Sequence, residues 1–316
     1  MNRLIFILLF VAAGLIMFTA ASSQAGTTSE EAVTKLDLQR VPWTQLRYRT
    51  KNWAATLTAV MTLEALPSDK ARAELVASDR GVPHRAAGPQ TLRMTLNMEI
   101  DRVFKDPVKI TNTVWFDPQD AAALGRYRLR RGEDDFEKIY RFTDQGVFRR
   151  NREPRSKEEA RGEMEQWSFN VKTFYDHELA QLGCPVASER LLLIYIASAA
   201  AGLSNGQPLS MCVFGKRQLH RVQLKAQGSR SVKVDFTERQ QQAQTQRQGE
   251  MEALAIALET EPMASTLDEP ENFSFLGMHK NIVILLDTQS NLPLQISGTI
   301  LKAGAGDLKL LEVELN

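Results

Sequence analysis

The densest group of titratable side chains is "YDHE", Tyr175 to Glu178. An imidazole flanked by carboxylates has the chemistry of a general acid and base. On a strand, however, neighbouring residues face opposite ways, so Asp176 and His177 point apart. The stretch then reads as a polar strand end or turn. "EDD", Glu133 to Asp135, follows "RYRLRRG" directly and reads as a charged hairpin tip. The histidines, His84, His177, His220 and His279, are scattered, with no partner at helical or strand spacing. The sequence offers no metal-ligand spacing, G-x-S-x-G, P-loop or dinucleotide fingerprint. No catalytic residue, metal site or cofactor is therefore predicted.

Two other sets of residues fit binding. Arg126, Arg128 and Arg130 fall on one face of a strand in "GRYRLRR". There they could meet anionic headgroups or an acidic partner. The acids of "GEDDFEK" nearby make an ordinary solvated face the competing reading. Met61, Met94 and Met98 share strand faces with leucines, which suits a pocket for a greasy ligand or a plain core.

The elements that must position these residues are mostly strands. In "TLRMTLNMEI", Leu92, Met94, Leu96, Met98 and Ile100 alternate with polar residues, as in an antiparallel sheet with one packed face. "TLTAVMTLE", "VKITNTVWFD", "RYRLRRG", "FEKIYRFTDQGVFRR" and "EQWSFNVKTFYD" read the same way. Ser188 to Leu203 is apolar nearly all round and predicts a buried helix, with Ser188 and Glu189 at its start. "RQQQAQTQRQGEMEALAIALETEP" breaks the strand rhythm and predicts a helical insertion at about 238–270. In "LLDTQSNLPLQISGTI", "DTQSN" predicts a turn. Pro293 then belongs at a strand's first residues, because proline cannot donate to a ladder.

The 316-residue chain carries a formal net charge of +1, which does not indicate a diffuse nucleic-acid-binding surface. It opens with a basic "MNR", an apolar run from Leu4 to Ala21, and small residues through Ala25. This predicts a signal peptide over 1–25, with an uncleaved anchoring helix as the alternative. A polar segment follows over 26–40. A single β-rich domain then spans 41–316. The expected location is periplasmic or secreted. There an even pair of cysteines, Cys184 and Cys212, suggests a disulfide, with two separately packed thiols as the alternative.

The strands "VILLDTQSNLPLQISGTI" and "GAGDLKLLEVEL", with the middle segment from "YDHELAQLG" to "QLHRVQLKA", resemble a family of uncharacterised bacterial periplasmic proteins, a domain of unknown function. The same strand-turn-strand step is similar to the outer-membrane lipoprotein carrier group of periplasmic lipid binders. That second resemblance implies a curved antiparallel sheet folded over helices, and a lipid-like ligand.

The expectation is a mainly-β fold, a curved antiparallel sheet or incomplete barrel with one buried helix. The expected role is non-enzymatic binding of a hydrophobic ligand or an envelope partner. An envelope glycan or peptide hydrolase and a structural assembly factor are the alternatives.

Overall fold

Alternating side chains set the strands, and the strands set nearly everything else. The computed structural model describes residues 36–51, 55–263, 269, 271–301 and 304–316. They lie within one unit, Val33–Asn316. The expected signal peptide falls outside the described residues.

Eight strands form a meander: β1 (Trp43–Lys51), β2 (Ala55–Pro67), β3 (Gln90–Arg102), β4 (Lys105–Phe116), β5 (Ala123–Arg131), β6 (Phe136–Thr143), β7 (Gly146–Glu153) and β8 (Phe169–Asp176). Seven more follow: β9 (Ala187–Glu189), β10 (Leu209–Phe214), β11 (Leu219–Gln240), β12 (Ala243–Pro262), β13 (Met278–Asp287), β14 (Pro293–Ile300) and β15 (Gly304–Leu315). All belong to one sheet, ordered from β8 down to β1, then β15 down to β9. β15 pairs antiparallel with β1 and joins the two runs. Thr237–Arg239 of β11 also lie parallel to Glu312–Glu314 of β15, which closes β11 to β15 into a partial ring. The mainly-β expectation holds.

The alternation in β3 works as read. Leu92, Met94, Leu96 and Met98 are buried, while Arg93 and Asn97 face the other way. The main core lies between this face and the buried segment after β9. That segment is a 3-10 turn, Arg190–Leu192, then a helix, Leu193–Ala199, whose every residue is buried. Tyr195 packs edge-on against Phe116 at 4.9 Å and donates its hydroxyl to the Pro118 carbonyl at 2.7 Å. The Trp43 indole donates to Ser198 Oγ at 3.4 Å. Burying each large apolar side chain contributes roughly 1.5–3 kcal/mol, so this plug anchors the fold. It begins later than expected, since Ser188 lies in β9. It breaks at Ala200, whose extended backbone (φ −81°, ψ 100°) separates a final turn, Ala201–Ser204.

The expected helical insertion at 238–270 is corrected: β11 and β12 form one long hairpin through most of it. At its tip both faces are wet, with residues 241–250 exposed. Near its base Ala253, Ala255, Ile256, Ala257 and Leu258 are buried on both faces. Neither environment leaves an alternating pattern, so a period of two had nothing to show. Pro293 does open β14, after a turn in which Asn291 adopts φ 59°.

Candidate functional site: a cationic half of one sheet face

Residues directly opposite in an antiparallel ladder share a face. Met94 of β3 opposes Val114 of β4, which opposes Arg126 of β5, which opposes Tyr140 of β6. One row lower, Leu96 leads through Asn112 and Arg128 to Lys138. Arg149 and Asn151 of β7 oppose Tyr140 and Lys138 and continue both rows. A single sheet face thus changes from apolar to cationic between β4 and β5.

Arg126 is the hinge of that change. It has no solvent exposure and pairs with the equally buried Glu189 at 2.6 Å. Its Nη1 also donates to the Gly215 carbonyl at 3.2 Å, and its guanidinium lies 3.7 Å over the Tyr140 ring. The other Glu189 oxygen accepts the Leu191 N–H at 2.6 Å. One ion pair therefore ties β5 to the start of the buried plug. Gly215 is held close as well: a Cβ there would meet Glu271 Oε1 at 2.6 Å. That carboxylate accepts the Lys216 and Arg217 N–H groups, each at 2.7 Å.

The cations beyond Arg126 are differently placed. Arg128 and Lys138 make no ion pair among the described residues. They lie against the same Phe136 ring, at 5.5 and 4.0 Å. Arg149 donates to Thr173 Oγ1 at 3.3 Å and has no carboxylate among its described partners. Arg190 reaches Ser274 at 3.0 Å and shares Glu189 at 3.7 Å. Burial, with Arg190 and Arg126 adding repulsion, pushes the Arg128 guanidinium down to about 10. Burial and Arg128 lower Lys138. Tyr140 reports the field of the whole group. Burial alone would raise its phenol, yet Arg126, Arg128, Arg149 and Lys138 together hold it below its ordinary value. Asn112 Oδ1 and Asn151 Oδ1 are buried with no hydrogen-bond partner. The patch thus offers net positive charge, an aromatic shelf and two spare acceptors.

The residues singled out in the sequence separate here. Arg126 and Arg128 belong to the patch, and for Arg126 the solvated-face reading fails outright. Arg130 joins a different network at the hairpin tip, near Glu133 and Asp134 at 3.9 and 4.0 Å. Met61 and Met94 are fully buried and Met98 is 9% exposed; all three fill the main core. Cys184 and Cys212 form a disulfide, with Cα atoms 5.8 Å apart. Asp176 is exposed and pairs with Arg80, while His177 is buried against Phe214, so the two do not converge. Among the described residues no group of three or more His, Cys, Asp or Glu could hold a metal ion. Lys138, Arg149, Arg190, Tyr140 and Asn112 escaped the sequence reading. The available signal was a charged residue inside an alternating apolar face, as in Phe136-Lys138-Tyr140-Phe142.

No family model matches the chain, and no curated protein matches it. Among solved structures it is similar to a beta-barrel-like protein of domain of unknown function DUF1849 from Brucella abortus. The TM-score is 0.41 at 8% identity, over 88% of this chain and 99% of that one.

Proposed function

We propose that this protein is an exported, non-enzymatic component of the cell envelope that binds an anionic group on the cationic half of its sheet face. The observation that carries this reading is a set of three cations, Arg128, Lys138 and Arg149, from three adjacent strands with no carboxylate partner among the described residues. Partly buried unpaired charge is costly unless something completes it. A phosphate or carboxylate fits the guanidinium fork of Arg128. The spare acceptors of Asn112 and Asn151 suit hydroxyl or amide donors beside that anion. Export is supported by the N-terminal sequence, and an oxidising compartment by the Cys184–Cys212 disulfide. The ligand class is narrower than a hydrophobic molecule, because the methionines are spent on the core.

The test is titration of the purified protein with glycerol phosphate, a soluble headgroup fragment, against glycerol. Saturable binding of the phosphate alone, weakened about tenfold or more by Arg128→Gln with Lys138→Gln, is the expected result. Absence of binding, or binding indifferent to those substitutions, overturns the reading.

A further inference from the structure

A second site stands apart from the cationic patch. A cavity of about 170 Å³ lies where the plug breaks at Ala200, beside the bulge of β11 and the turn after β13. Its apolar wall includes Leu203, Leu254 and Leu286, and Ser229 stands on the exposed bulge at its side. Arg40 and Asp287 both line it.

These two charges are opposite, and among the described residues neither makes an ion pair within 4 Å, although Asp287 also feels the more distant Arg247. Arg40 donates from Nη2 to Asn291 Oδ1 at 3.1 Å and to Ser204 Oγ at 3.4 Å, both neutral groups. Its Nε is buried with no partner. Asp287 is only 5% exposed. Its Oδ2 accepts the Ser290 N–H at 2.8 Å and the Ser290 hydroxyl, again neutral donors. The turn from Asp287 to Asn291 holds both ends of this arrangement, since Asn291 N–H donates to the Asp287 carbonyl at 3.0 Å. Arg40 is half-buried and Asp287 buried, and a buried charge is normally matched by counter-charge. The pocket as a whole is neutral, so neither a simple anion nor a simple cation satisfies both ends.

We propose that this pocket binds a small zwitterion, an α-amino acid with a short aliphatic side chain. Its carboxylate would meet Arg40, its ammonium would meet Asp287, and its side chain would rest on Leu254 and Leu286. The volume admits a ligand of that size. Independent of the anion reading, the site stands or falls without it.

The experiment is calorimetric titration of the full chain with valine, N-acetylvaline and valinamide. Valine binds saturably. Each blocked form, which lacks one charge, binds roughly tenfold or more weakly. Arg40→Gln and Asp287→Asn each produce a loss of the same order. Ser229→Phe, an exposed position at the pocket, abolishes binding without moving the thermal midpoint, which separates pocket blockade from misfolding. No saturable valine binding to the unaltered protein overturns the proposal, as does equal binding of the blocked forms or unchanged affinity after Ser229→Phe.

Discussion

Two regions of one sheet face meet at β4, and they spend their side chains differently. On β2 and β3 the face carries Met61, Met94, Leu96 and Met98, and the plug covers it. On β5 to β7 it carries Arg126, Arg128, Lys138, Tyr140 and Arg149. The first region is complete in itself, since every side chain finds apolar neighbours. In the second, among the described residues, only Arg126 has a carboxylate partner, and even its Nε and Nη2 are buried without a hydrogen-bond partner. The difference separates side chains whose charge the fold itself matches from side chains it leaves without counter-charge, and the proposed anion would sit on the second kind.

The sharpest way to break this comparison is to strike its boundary. Arg126→Met leaves the buried Glu189 with only the longer contact to Arg190 and should cost about 3–5 kcal/mol, read as a lower denaturant midpoint. Met94→Ala, deep in the apolar region, should cost roughly 2–5 kcal/mol by opening a cavity. Binding of glycerol phosphate should persist in that variant under folding conditions. The third prediction concerns pH. Burial pushes His177 down to about 4. Below the unfolded value of about 6.5 the unfolded chain binds a proton that the native protein refuses. Stability therefore falls as pH drops from about 6.5 to about 4, by on the order of 2–3 kcal/mol from this group. His84 and His220, also lowered by burial, act in the same direction. Replacing His177 with Phe should flatten part of that slope in urea titrations at several pH values. The smallest effect is expected at Arg128→Gln. Removing an unpaired, repelled cation should change stability by less than about 1 kcal/mol or raise it, while anion binding is weakened. A large destabilisation there would show that Arg128 belongs with Arg126 and would erase the distinction.

Much of the fold was legible because solvent lies on one side of most strands. The alternation in β3 named its own buried residues, and the all-apolar run after Glu189 announced a plug. β12 was illegible because its tip is wet on both faces and its base dry on both. The candidate site was legible only in part. Arg126 and Arg128 share a short stretch of sequence, so their common face could be read. Lys138, Arg149 and Arg190 reach the same place from other elements, and only strand register brings them together. Glu189 was read as a helix cap. It does cap the Leu191 N–H, yet its larger role is as counter-charge to a residue 63 positions earlier.

The order of strands has a consequence for how the molecule is made. β1 through β8 and β9 through β14 are joined through β15, which pairs with β1 on one side and β14 on the other. During synthesis both runs emerge before the strand that unites them. Until then β1 and β14 each present an open edge, the kind of surface on which chains mispair. The last strand is therefore a keystone in time as well as in space, and a nascent chain stalled before Gly304 would hold two unfinished sheets.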